Sequence, residues 1–527
     1  MKRFFILVTL LAAAVSCDLD SDEQDSREHG SYHSLSSLSH GMIRLGRKLD
    51  DPYTVENMSD ALAKIYPTKA GSAKLKPTDI YVRVLPSSEK QYRWLERECG
   101  YVSDHPLDYE IVEEGDYYRD PDISEGEFTW QYVVVPKTFR FPADMRVELL
   151  DECYIPGNAN PTKGGGGIDW DVVERESFRL TGNEHLLSGV GTKSGAKCPS
   201  GRIVLADKHY NGGEPVGLAG VKVCCNVFVK FSSAHTDDEG YYELGRKFSG
   251  KPRYRLIFSN TKGFNIGFNL VLVPASISTL GKASPEGINV IIDKDSDRQM
   301  FTRSVVNNAA YEYYNNCESL SICTPPADLR IWILYGLDAG SAPMLHHGAL
   351  VDNKTIKDFL GEYGAIVKMF LPDITIGAKG MDDYYMIYSE VVHELSHASH
   401  YAQVGNDFWN KYIFFVLYSY VKSGWVVYGT GTEPGAGFCE VGEMWAYFHE
   451  NQMHMERYPG HDWNRGMKYW FKPQILSRIS ERGIGKEKIF KALTPDVISG
   501  QELKAKLLEL YPESRTDIEQ SFKRYSL

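Results

Sequence analysis

The sequence predicts a multidomain protein of the α+β class, and three observations lead there. At 527 residues with 43% hydrophobic side chains, the chain can bury more than one core, because single cores stop growing near ~250–300 residues. Its middle part is written in short apolar segments broken by turn residues, the pattern of strands. Its C-terminal part changes to longer stretches with apolar residues at three- and four-residue steps, the pattern of helices.

The first residues set the compartment. Lys2 and Arg3 precede an apolar run at 4–14, followed by Val15, Ser16 and Cys17. A basic start, a short apolar core and small residues before a cut form a bacterial secretory signal. A cysteine directly at the cut resembles a lipobox, with Ala14 at its first position, and implies a signal peptide at 1–16 and lipidation of Cys17. The following residues, Asp18, Asp20, Asp22, Glu23 and Asp25, make 17–50 an acidic, Ser-rich tether rather than a fold element. Such an acidic stretch resembles tags that carry lipoproteins to the outer face of the outer membrane. Asp18 also matches an inner-membrane retention signal, and the outer membrane is the expected location. No later stretch reaches the ~20 apolar residues a membrane helix needs; 412–421 is half that length.

Residues 51–199 read as a mixed α/β or β domain, with strands at 80–85 and 129–135. Gly164–Gly167 make a loop, since no Lys-Ser/Thr pair follows to hold phosphate. From 200 to 297, short strands recur: Ile203 and Val204, Val216, Val221 and Val223, then Asp237-Asp238-Glu239-Gly240-Tyr241. The Asp-Asp-Glu-Gly step is a tight turn in which Gly240 takes positive φ. This series resembles the carboxypeptidase regulatory-like domain, a transthyretin-like β-sandwich. Of nine cysteines, Cys317 and Cys323 are spaced to close a small loop. Cys224 and Cys225 face opposite sides of a strand and do not pair with each other.

The remaining residues, 298–527, hold the chemistry. His393-Glu394-Leu395-Ser396-His397 is an HExxH pattern. Histidines four apart lie on one helix face and can reach one ion, while Glu394 is turned about 100° away, over the ion's open position. Two imidazoles and a carboxylate base are what zinc hydrolysis requires. Asp382 and Asp383 are expected caps and Gly405 the stop. Ile387, Val391, Leu395 and Ala398 form the expected buried stripe. His400 follows one turn on, as an alternative ligand or a supporting side chain.

The third ligand sets the subclass. A metzincin pattern would need glycine at 400 and histidine at 403, where His400 and Gln403 stand. The segment Glu443-Met444-Trp445-Ala446-Tyr447-Phe448 is similar to the third-ligand helix of gluzincin zinc peptidases, with Gly442 replacing their usual asparagine. Strands at 329–335 and 365–371 precede the histidine helix in the zincin order, and 370–376 would be the strand that pairs with substrate. The resemblance implies a zincin-like α+β catalytic domain with zinc on His393, His397 and Glu443. It implies Glu394 as general base, and Tyr428, His461 or Tyr469 as donor to the oxyanion. Glu440, three residues before Glu443, is the rival ligand, and a helical segment at 408–421 fills the gap between the two motifs.

A net charge of −12 with no basic stripe argues against a nucleic-acid partner. The expected partners are peptide or protein substrates, glycosylated ones included, and a membrane through the lipid on Cys17, with the chain acting as a monomer. Two other classes compete: a cell-surface binding protein or adhesin on a zincin scaffold, and a hydrolase of glycopeptides. The anchor is checked by fractionation. Cys17→Ala should shift the protein from membranes to the soluble fraction, and continued membrane partition after signal removal would contradict lipidation.

Overall fold

The computed structural model describes residues 40–70, 75–124, 127–158, 167–187, 198–267, 277–338, 373–422 and 428–526. The expected signal peptide, Cys17, the tether up to residue 39 and the expected strand at 365–371 lie outside them. The described residues form a mixed α+β protein of several sheets and many helices.

The first sheets are built from β1 (Arg44–Lys48), β2 (Asp79–Leu85), β3 (Val102–Ser103), β4 (Tyr109–Glu113), β5 (Gln131–Pro136) and β6 (Arg146–Cys153). Helices α1 (Val55–Ile65), α2 (Glu89–Cys99) and α3 (Trp170–Leu180) accompany them. Four strands pair antiparallel in the order β3-β5-β2-β6, and β1 pairs with β4. Because successive strand residues point to opposite faces, β2 and β5 serve two cores. Val82, Val84, Val133 and Val135 pack on Leu95 and Cys99 of α2, while Tyr81, Tyr132 and Val134 join the main core.

Next come β7 (Ser200–Leu205), β8 (Val216–Gly217), β9 (Val221–Val227), β10 (Lys230–His235), β11 (Tyr241–Glu243), β12 (Arg253–Asn260), β13 (Asn265–Ile266), β14 (Ile277–Lys282) and β15 (Val290–Ile292). One sheet runs β11-β7-β15, with β8 on β7. The other runs β10-β9-β12, with β14 on β12. Val221, Val223 and Cys225 of β9 and Tyr254, Leu256 and Phe258 of β12 share a core with Ile203, Leu205, Val290 and Ile292. The turn before β11 is held by Asp237, whose carboxylate accepts from Glu239 N (3.0 Å) and Tyr241 N (2.8 Å). Gly240 has φ +82, and a Cβ there would sit 2.1 Å from the Ile203 carbonyl oxygen, so both conformation and space demand glycine.

The sheet does not stop at the expected 297/298 boundary. β13 pairs with β12 and, in parallel, with β16 (Arg330–Asp338), which pairs in parallel with β17 (Ile374–Lys379). Helix α4 (Arg298–Leu320) packs across this junction, so one apolar core extends from Tyr53 to Phe522. Behind β17 come α5 (Tyr384–Val404), α6 (Asn406–Lys422) and α7 (Ala436–Arg457). The chain closes with α8 (Gln474–Glu481), α9 (Lys486–Ala492), α10 (Gly500–Leu510) and α11 (Arg515–Lys523).

Helix α5 starts after Asp383, but not by the expected side-chain cap. Asp383 makes no capping hydrogen bond, and Asp382 pairs with Arg298 at 2.9 Å. Gly405, φ +79, ends the helix as expected. The stripe Ile387, Val391, Leu395 and Ala398 is buried, but so are His393, Glu394, Ser396, His397 and His400 on the other sides. Elements packed all round α5 remove the solvent-facing side that an amphipathic reading implies.

Buried ion pairs tie these parts together: Lys230–Glu174 (2.7 Å), Arg303–Asp116 (2.7 Å) and Arg457–Asp207 (3.1 Å). Removing one partner of such a pair typically costs about 3–5 kcal/mol. His40 joins the second of them, with Nδ1 2.8 Å from Asp116 and Nε2 2.7 Å from Asp297. Both ring nitrogens face carboxylates, so the imidazolium is the form that satisfies them. Burial opposes the charge, but the bonds to Asp116 and Asp297 outweigh it and lift the pKa from 6.5 to about 9. A raised folded-state pKa gives stability that is complete below 6.5 and lost as the pH climbs through 9. Thermal unfolding across that window should show the native chain losing more stability than His40→Ala; equal losses would remove His40 from the linkage.

Candidate metal centre

Helix geometry and one close helix crossing assemble the centre. On α5, His393 and His397 stand one turn apart, with their Nε2 atoms 3.2 Å from each other. From α7, Glu443 places Oε2 3.5 Å from His393 Nε2 and Oε1 3.5 Å from His397 Nε2. A tetrahedral divalent ion with bonds of about 2.0–2.2 Å spaces its donors by about 3.3–3.6 Å. The three side chains therefore fit one ion. Glu394 lies beside them, Oε1 3.9 Å from His393 Nε2. Donor atoms of His393, Glu394 and His397 all fall within 4.8 Å of one another.

Charge points the same way. His393 and Glu394 are 3% exposed, His397 2% and Glu443 0%. Among the described residues, Glu443 forms no ion pair with lysine or arginine, and its Oε2 is a buried oxygen with no hydrogen-bond partner. Burial opposes ionisation of Glu443, yet His397 and His393 hold its pKa below the usual value. Burial likewise opposes charge on His393, but Glu443 and Glu450 raise its pKa to about 10. His397, dominated by burial, drops to about 3. One imidazole is thus pressed to hold a proton where a metal ion would supply the positive charge.

A ring of partners fixes these groups. Glu450, two turns beyond Glu443 on α7, faces His393 Nδ1 at 3.1 Å. Its other oxygen accepts from Trp463 Nε1 (3.0 Å) and Arg465 (3.1 Å), and Arg465 also reaches Glu390 at 2.8 Å. A carboxylate on the far nitrogen of a ligating histidine sets tautomer and ring orientation. Tyr412 of α6 donates its hydroxyl to Glu443 Oε1. Gly442 makes that reach feasible, because a Cβ there would lie 3.1 Å from the Tyr412 ring. Tyr447 packs its ring 4.3 Å from that of His393, and its own face is covered by Gly466 and Phe471.

Other residues singled out from the sequence fall in different places. Glu440 points away from the centre: its Oε2 accepts from Gly500 N at 2.6 Å, in the first turn of α10, whose N-cap is Ser499. His400 is enclosed by Phe408 and Trp409, with ring centres 5.0 and 5.8 Å away. Neither of its ring nitrogens has a hydrogen-bond partner, and burial pulls its pKa to about 3. It is a core histidine in this structure, outside the donor cluster. Tyr428, φ +63, packs on Tyr469 and Phe471, and after burial Glu443 is the main cause of its raised pKa. Tyr469 lies against Tyr447. His461 belongs to a separate group with His454 and Tyr458. Cys317 and Cys323 are free thiols, not the expected bridge, and so are Cys224 and Cys225. Sequence reasoning missed Tyr412, Glu450 and Arg465. Glu450 left a trace, since seven residues place it on the face of Glu443, whereas Tyr412 and Arg465 arrive only through folding.

Comparison of the chain with protein-family models, curated proteins and solved structures yields no match.

Three variants separate these roles by metal analysis. Glu443→Ala should abolish metal binding. Glu440→Ala should keep the metal and lose about 1 kcal/mol of stability through the missing hydrogen bond to Gly500 N. Glu450→Ala should weaken metal affinity about 10–100-fold through a misoriented His393. Metal loss in Glu440→Ala with retention in Glu443→Ala would reverse the two glutamates.

Proposed function

We propose that the chain is a lipid-anchored zinc metallopeptidase of gluzincin type, acting on extracellular peptides or proteins. The observation that carries this reading is the convergence of His393, His397 and Glu443, with Glu394 beside them. Two imidazoles and a carboxylate at tetrahedral spacing suit zinc. When bound, zinc would lower the pKa of its water towards neutrality and polarise the scissile carbonyl. Glu394 takes the proton of the attacking water and passes it to the leaving nitrogen. Glu450 holds His393 in register, and Tyr412 does the same for Glu443. Tyr428, Tyr469 and His461 are the candidates for the oxyanion donor; Tyr428 and Tyr469 pack on each other and Tyr469 on Tyr447, whereas His461 sits in the separate group with His454. In this reading, 298–527 is the zincin-like domain. Residues 200–297 form a transthyretin-like support, and the lipid on Cys17 holds the enzyme at the outer membrane, facing the exterior.

One observation favours a second reading, a binding protein with a structural metal: the four central side chains are almost completely buried. Structural sites are closed, whereas catalytic ones keep a position open for water. Glu394 favours catalysis, since a structural site needs no base next to its ligands. Peptide hydrolysis by the purified protein, assayed with and without chelator, decides between them. Glu394→Gln should retain the metal and lose about 10²–10⁴-fold in turnover. Full activity in that variant would exclude the general base, and a metal-loaded wild type without hydrolysis would favour the structural reading.

A further inference from the structure

A second group of imidazoles gathers where α7 ends, apart from the HExxH cluster. His454 is fully buried, and its ring is stacked on Trp463 at 4.2 Å. Its Nδ1 lies 2.6 Å from Ser389 Oγ, which leaves Nε2 facing His461 Nδ1 at 3.3 Å. That separation nearly equals the 3.2 Å between the Nε2 atoms of His393 and His397. His209 joins from the loop after β7, its ring centre 5.3 Å from that of His461. Tyr385 touches all three rings, at 5.0, 5.3 and 6.1 Å. The Asp207 carboxylate fixes the loop by accepting from the His209 backbone N–H (3.2 Å) and from Tyr458 (2.8 Å).

We infer that His454, His461 and His209 form a second binding site for a divalent ion of the zinc class. All-imidazole donors select zinc, nickel or copper over magnesium or calcium. A ligating histidine ordinarily has its other nitrogen held by a partner, as Ser389 holds that of His454. His461 is half-buried and His209 exposed, so an ion can reach the pair, and His209 can turn about its side-chain torsions to complete three ligands. Because His209 comes from the sandwich and the other two from the helical part, the ion would clamp the two parts together.

The test counts zinc in protein equilibrated with excess zinc and then desalted. The wild type should hold two ions. His461→Phe, which keeps a ring to stack on Tyr458 but removes both nitrogens, should hold one, as should His397→Ala through loss of the other centre. His209→Ala, at an exposed position, should weaken the second ion about 10–100-fold. Zinc should still raise the melting temperature of His397→Ala but not that of His397→Ala combined with His461→Phe. A full zinc count in His461→Phe, or a single ion in the wild type that His397→Ala removes, would show that His454 and His461 are only a hydrogen-bonded pair. A count unchanged by His397→Ala would instead overturn the first centre and leave this one standing.

Discussion

Burying two imidazoles and a carboxylate within 3.5 Å of one another needs positive charge among them. An isolated carboxylate loses several kcal/mol of hydration on entering the interior and recovers it only from paired charge or metal coordination. Around the centre, Arg465 offsets Glu450 and Glu390, while among the described residues the ion-pair partners of Glu443 are the two imidazoles, and its one hydroxyl donor is Tyr412. The packing of α5 against α7 therefore sets Glu443 against His393 and His397 with, among the described residues, no lysine or arginine paired to it. A proton on His393 would meet part of that need, and a divalent ion would meet the rest.

That requirement explains features that look costly in isolation. Helix α5 is buried on nearly every side, so its polar residues must find partners within the protein. Ser389 meets His454, Ser396 bonds back to the Val392 carbonyl, and Ser399 meets Tyr313. Close approach is secured by small residues where aromatic rings press in. Gly442 lies under Tyr412, and a Cβ on Gly466 would come within 2.4 Å of the Tyr447 ring. Enlarging either would move a ring that positions a donor, so backbone and chemistry are coupled through van der Waals contact.

Long-range ion pairs hold the surrounding parts in fixed relation. Arg457, at the end of α7, reaches Asp207 in the loop after β7 and Glu312 on α4. Its guanidinium lies 4.0 Å over the Tyr210 ring. The same loop carries His209. The helix that supplies Glu443 is thus anchored at its far end to the loop after β7, and the continuous sheet from β12 through β17 anchors α5. Neither helix can shift without disturbing a buried charge.

By itself, the sequence determined what depends on local spacing. Residues four apart on a helix fall on one face in any context, so His393 and His397 were legible as a pair. Gly240 and Gly405 were legible as turn and stop, because backbone sterics act within a few residues. Strand positions in β2, β5 and β16 were visible from β-branched runs, and the mixed α+β class from the change of period along the chain. Tertiary structure alone decided what depends on distance between elements. It separated Glu443 from Glu440, two carboxylates on one helix whose partners, the His393–His397 pair and Gly500, lie in other elements. It placed His400 in an aromatic core rather than among the donor atoms of His393, His397 and Glu443. It also joined the sheet across residue 297, because a parallel pairing such as β13 with β16 leaves no mark in either strand. Pattern records which way a side chain points on its own element; what it points at is set by packing between segments that the sequence keeps far apart.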